Sequence, residues 1–96
     1  MRQTNYTKTT LQTLVDRLNR ITESPEKPYA QDEQGILVPQ LGNWHVTQQL
    51  GGYCVARIVT STGGCSEPIW SGHVAAKEAC TRLDAFLKGL TFLPKV

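Results

Sequence analysis

The chain has no long hydrophobic run. Nothing in its 96 residues approaches the ~18 consecutive apolar residues that a membrane span requires. The opening segment, MRQTNYTKTT, has no apolar stretch of the kind that centres a secretory signal. Charge of one sign is also scarce. Ten Lys and Arg against eight Asp and Glu leave a net charge of +2, and the cations are scattered rather than gathered into the dense basic stripe of a nucleic-acid-binding domain. Cysteines are few and odd in number. Cys54, Cys65 and Cys80 stand far apart, which suits free thiols in a reducing cytoplasm better than a disulfide framework. Neither C-x-x-C nor H-x-x-x-H spacing occurs, so no metal is expected. There is no G-x-S-x-G elbow and no G-x-x-x-x-G-K phosphate loop, so no cofactor is expected either. The acidic residues fall on loops and polar helix faces and read as solvated charge rather than as a catalytic carboxylate pair. These absences together argue against an enzyme.

What is present is an ordinary globular composition, 40% apolar and 19% charged, in a chain long enough to bury somewhat more than ~60% of its unfolded surface. Residues 1–8 are polar and read as a flexible N-terminus, and residues 9–93 as one domain. Leu11, Leu14, Val15, Leu18 and Ile21 recur at the helical period. Thr9 and Gln12 match a capping box at the start of that helix, and Ser24-Pro25 predicts its end. Residues 24–35 read as a loop, followed by a short strand at Ile36-Leu37-Val38 that Pro39 ends or confines to an edge. The segment GNWHVTQQLGGYCVAR, residues 42–57, reads as a β-hairpin with Gly51-Gly52 as a two-residue turn. That register pairs Leu50 with Tyr53 and Trp44 with Val59. A third strand is expected around Cys65 to Trp70, with Pro68 marking it as an edge. A last helix, starting near Ser71-Gly72 and capped near Gly89, carries Ala76, Ala79, Cys80, Leu83, Phe86, Leu87 and Leu90 on one face. The expected fold class is therefore α+β in two layers: an N-terminal helix, an antiparallel sheet of three strands (four if residues 36–38 join it) and a C-terminal helix, both helices on one sheet face.

Hairpin pairing puts opposed side chains on the same face. One face carries Trp44, Val46, Gln48, Leu50, Tyr53, Val55, Arg57 and Val59 and is assigned to the core, with the Arg57 head reaching the rim. The other carries His45, Thr47, Gln49, Cys54, Ala56 and Ile58. If both helices cover the first face, the second stays open, and His45, Thr47, Gln49 and Ile58 form a flat, uncharged patch suited to a protein partner or to a second copy of the chain. Trp70 is a second candidate anchor. The plainer reading makes His45 a surface or half-buried residue with one hydrogen-bond partner and Trp70 a lid on one end of the core. Cys80, on the apolar helix stripe, reads as core. A thiol chemistry using Cys54 with His45 is a weaker third possibility.

Short motifs carry two resemblances. The element order, with Pro28-Tyr29, Gly42-x-x-His45 and Lys77-Glu78-Ala79, resembles a double-stranded RNA-binding domain. That implies shape-reading of a duplex with Lys77 and Arg82 on phosphates, although only Lys77 stands where the family presents a lysine cluster. The second resemblance spans residues 17–90: Arg17-Leu18-Asn19, Ser24-Pro25, Pro28-Tyr29, Gly42-Asn43-x-His45, Gly51-Gly52 and Gly72-His73. This set resembles small uncharacterised accessory proteins of temperate phages and prophages. It implies no activity; it implies a non-catalytic protein in the cytoplasm of a bacterial host that binds and modulates a host protein complex, such as a defence system. That reading leads, and duplex binding is the alternative.

Overall fold

The computed structural model describes residues 8–92; residues 1–7 and 93–96, which include most of the expected flexible N-terminus and Pro94, lie outside the described residues. The element order is α1 (Lys8–Ile21), β1 (Tyr29–Gln31), β2 (Leu37–Pro39), β3 (Trp44–Gln49), β4 (Gly52–Ile58), β5 (Cys65–Ser66) and α2 (Ala76–Phe92). Strands β3, β4 and β5 form one antiparallel sheet, and β1 and β2 a separate two-stranded one. The fold is α+β.

Helix α1 buries Leu11, Val15 and Leu18, while Ile21, the last member of the predicted stripe, is exposed. Thr9 lies inside the helix rather than capping it, and its carbonyl accepts from the Thr13 hydroxyl at 3.0 Å. The helix is ended by backbone geometry before Pro25 is reached. Ser24 N donates to Asn19 O at 2.8 Å and Glu23 N to Arg20 O at 3.2 Å, the paired bonds of a Schellman motif. Glu23 occupies the left-handed position, at φ 55°, where glycine usually sits.

Helices α1 and α2 pack on each other, α1 against β3 and α2 against β4. Their stripes meet Trp44 and Val55 in one core with Ala79, Cys80, Leu83 and Leu87. The Trp44 ring lies 6.1 Å from Phe86 and beneath Arg57, whose guanidinium carbon is 5.0 Å from the ring centroid. Arg57 thus covers the core rim with its stem and stacks its head on an aromatic face. The polar anchor of this layer is Asn19, which is buried. Its Nδ2 donates to Trp44 O at 2.9 Å and its Oδ1 accepts from Trp44 N at 2.8 Å. One side chain on the helix therefore completes both backbone groups at the first residue of β3.

The hairpin register differs from the expected one. Gln49 pairs with Gly52, Thr47 with Cys54, His45 with Ala56 and Trp44 with Arg57. The turn residues are Leu50 (φ 49°) and Gly51 (φ 78°), both left-handed, as a type I′ turn requires. Gly52 is kept in the strand by crowding: a Cβ there would lie 3.0 Å from the His73 backbone. Pairs have shifted by two positions, so the side chains within β3 and β4 keep their predicted faces, but Leu50 and Val59, assigned to the core face, fall outside the strands and are exposed.

The third strand is shorter than expected. Pro68 cannot donate to a ladder, and β5 stops at Ser66. The chain returns to β4 at Val74, which exchanges backbone hydrogen bonds of 2.7 and 2.9 Å with Tyr53. The path from Ser66 to Val74 takes eight steps against four from Arg57 to Tyr53, so four residues bulge out, and Trp70 lies in that bulge. Helix α2 starts at Ala76 rather than at Ser71-Gly72, and it runs through Gly89. The predicted 24–35 loop contains β1, which pairs Tyr29 with Pro39, Ala30 with Val38 and Gln31 with Leu37. Asp32 builds the turn, its Oδ1 accepting from Gln34 N and Ile36 N at 2.9 Å each.

Two substitutions probe these anchors. Asn19→Ala leaves a buried N–H and a buried C=O of Trp44 without partners and should lower the unfolding free energy by ~2–4 kcal/mol, read by urea denaturation. Glu23→Gly relieves a left-handed non-glycine residue and should raise it by ~0.5–1 kcal/mol despite the more flexible unfolded chain.

Candidate functional site

The polar face of β3 is organised by a second buried asparagine, Asn43, which immediately precedes the strand. Asn43 Nδ2 donates to Pro25 O at 2.8 Å, and Asn43 Oδ1 lies 3.2 Å from His45 Nδ1. His45 Nε2 in turn lies 4.0 Å from the Cys65 thiol across the sheet, which also donates to Gly63 O at 3.3 Å. Further along β3, the Thr47 hydroxyl is 3.0 Å from His73 Nε2 and 3.4 Å from Cys54 O. His73 is brought there by the Val74 bridge and by the close approach that Gly52 permits.

This face is therefore not open. Cys54, Ala56 and Ile58 are all buried, because the bulged return of residues 67–74 folds back along β4 and Cys65 extends the sheet beside Ile58. Of the predicted contact residues, His45 and Thr47 are half-buried and Gln49 is exposed. Ile58 and Trp70 are corrections: both side chains are buried and offer no contact surface. Trp70 closes one end of the core, with Arg82 6.0 Å above its ring and its backbone oxygen accepting from the Cys54 thiol at 3.5 Å. Burial, followed by the nearby Glu67 carboxylate, pushes the pKa of that thiol up to about 12. Cys54 is thus buried and held as the thiol, and the cysteine that His45 faces is Cys65. Burial also raises the pKa of the Cys80 thiol, on the core side of α2.

The two residues of the duplex-binding reading lie apart. Lys77 is exposed in the first turn of α2, whereas Arg82 pairs with Glu78 at 3.4 Å and leans on Trp70. Five residues of helix separate them by ~140° around its axis. A hollow between α1 and the following loop, lined by Asp16, Asn19, Arg20, Glu26 and Lys27, mixes two cations with two anions. Among the described residues no group of three or more His, Cys, Asp or Glu could hold a metal ion, and no helix is long and apolar enough to cross a membrane.

The surface that sequence reasoning missed is the β1–β2 arm. Both of its strands are solvent-exposed apart from Pro39. Ile36 is 57% exposed, Leu37 62% and Leu41 55%, with Tyr29 and Val38 exposed beside them. Its base rests on the β4–β5 turn, where a Cβ on Gly63 would sit 3.4 Å from Tyr29 Oη and from Pro39 Cγ. The signal available in the sequence is the run Ile36-Leu37-Val38 itself. Three consecutive apolar residues in a strand cannot all face one core, because successive side chains point to opposite faces.

No protein-family model, curated protein or solved structure matches this chain.

The thiols should separate cleanly by accessibility. In the native protein a thiol-specific chromogenic disulfide should titrate Cys65 alone, and in denaturant all three cysteines; rapid native reaction of Cys54 or Cys80 would contradict the packing described.

Proposed function

We propose that this chain is a non-catalytic binding protein that docks a protein partner through the β1–β2 arm. The observation that carries the reading is the arm's exposed apolar set. A two-stranded hairpin is marginal in water on its own, and this one leaves Tyr29, Ile36, Leu37, Val38 and Leu41 in solvent. Exposed apolar side chains concentrated on both faces of one projecting arm are what a protein partner covers. Charge favours a protein over a nucleic acid. From Pro28 to Ala56 the chain has no Lys or Arg, and Asp32 and Glu33 stand at the arm's tip, where a phosphate backbone would be repelled. The short motifs from Arg17-Leu18-Asn19 to Gly72-His73 support the wider setting: an accessory protein of a phage or mobile element, in the cytoplasm of a bacterial host, that binds and modulates a host protein complex such as a defence system. Inhibition of such a complex would need only occupancy of a surface, not turnover.

The test compares the wild-type chain with Ile36→Lys/Leu37→Lys, an arm variant at two exposed positions. Each is used to capture cross-linked partners from a host lysate, run alone in sedimentation, and titrated with a ~20-base-pair duplex RNA and its DNA equivalent at two salt concentrations. The expected result is a discrete protein complex whose affinity falls at least ~10-fold in the arm variant while the melting temperature is unchanged. Equal capture by both chains overturns the role of the arm. Concentration-dependent dimerisation lost in the variant makes the occupant a second copy. Micromolar duplex binding that weakens steeply with salt and survives the arm substitutions replaces the reading with the nucleic-acid one.

A further inference from the structure

We infer that Asn43, His45 and Cys65 form a thiol-activating array, and that Cys65 is a site of mixed-disulfide formation with low-molecular-weight disulfides. This goes beyond the partner-binding reading and does not depend on it. Pro25 sets the order of the array, because its backbone oxygen can only accept. Asn43 must therefore turn its Nδ2 toward it, at 2.8 Å, and this fixes Oδ1 as the atom facing His45. An amide oxygen also only accepts, so the proton of the imidazole resides on Nδ1. The lone pair of Nε2 thereby faces the Cys65 sulfur, 4.0 Å away, and the single thiol proton has two acceptors in reach, this nitrogen and Gly63 O at 3.3 Å. The sequence of groups is nucleophile, base and orienting amide, each positioned by the next.

Three further features make the array usable. Asn43 is fully buried, so its amide is held by packing as well as by hydrogen bonds. Nε2 carries no proton in this tautomer and can accept one, while burial, which lowers the pKa of His45 below the ordinary histidine value, makes it a weaker base than an exposed imidazole. Cys65 is exposed, while Cys54 and Cys80 are not. The array sits on a strand edge beside a turn, so it suits a small reagent that presents a sulfur to a surface thiol.

The step is balanced as a thiol–disulfide exchange. The Cys65 proton passes to His45 Nε2 as Sγ attacks one sulfur of the disulfide RS–SR. A Cys65–S–SR bond forms and the RS–SR bond breaks. The departing RS⁻ takes the proton back from His45 and leaves as RSH. The Cys65 sulfur is oxidised to the disulfide level and one R–S group is reduced to a thiol. The reaction is stoichiometric, and a second thiol reverses it.

The test uses oxidised glutathione as the probe and intact mass as the readout at pH 7. Wild-type protein should take up one glutathionyl group on Cys65 at least ~10-fold faster than His45→Gln, which keeps hydrogen-bonding capacity but removes the base. Cys65→Ser should take up none. Rates within about twofold of each other in wild type and His45→Gln would make Cys65 an ordinary exposed thiol and overturn the array. A measurement on the wild type alone decides the matter if His45→Gln fails to fold. Nitrogen-15 NMR of the histidines should show His45 protonated on Nδ1 and free on Nε2; the opposite tautomer overturns the proposal.

Discussion

The two hydrogen bonds from Asn19 to the Trp44 backbone connect the helical layer to the sheet. A buried amide with both ends satisfied by one residue's backbone acts as a local substitute for a missing strand neighbour. It fixes where β3 begins and how deep Trp44 sits against Phe86 and Arg57. The neighbouring contacts inherit that placement. Asn43 is tied back to Pro25, so the loop leaving α1 is held to the start of β3 from the other side. The Schellman ending of α1 turns the chain toward that contact. His45 is oriented at the end of this series, and its ring direction depends on a helix terminus more than twenty residues earlier.

The sheet is covered differently on its two faces. Helices shield Trp44 and Val55, and the packing there is hydrophobic. The opposite face is shielded by the bulged return between β5 and α2, and its interactions are largely polar: Thr47 with His73, Cys54 with the Trp70 carbonyl, His45 with Cys65. Gly52 eases this arrangement, because a Cβ there would stand 3.0 Å from the His73 backbone and force it to give way. The cost appears one turn away, where Leu50 takes a left-handed conformation that glycine would have adopted easily. With both faces covered, most of the exposed large apolar side chains lie off the sheet, on and beside the arm.

The helices and the allocation of residues to sheet faces were legible because they rest on local periodicity. The stripe from Ala79 to Leu90 is buried or half-buried throughout, and a register error of two positions leaves face membership within β3 and β4 intact. Other features depend on contacts distant in sequence. Asn19 reads as one more polar helix residue until its partner, 25 positions away, is in place. Gly51-Gly52 reads as a turn because nothing nearby reveals that His73 occupies the space beside Gly52. Pairing His45 with Cys54 rather than Cys65 fails for the same reason. Both share the His45 face, but only the third strand, with Cys65 opposite Ile58, shows which thiol comes within reach. The arm was hidden by its own composition, since the Pro, Asp and Gly residues that make it a tight hairpin also resemble those of a structureless loop.

The proposed docking surface and the proposed thiol site are neighbours, and this constrains how they could act together. Cys65 donates to the carbonyl of Gly63, and Gly63 is the residue against which Tyr29 and Pro39 pack at the base of the arm. A glutathionyl group on Cys65 would add a charged, bulky substituent at the junction of arm and sheet. A partner covering Tyr29 and its neighbours would in turn restrict access to the thiol. Burying an added charge against an apolar interface is unfavourable without a matched counter-charge, and the arm has no Lys or Arg to supply one. If both readings hold, modification and docking compete for one region of the surface, and the orientation of His45 by Asn43 sets how readily the thiol enters that competition.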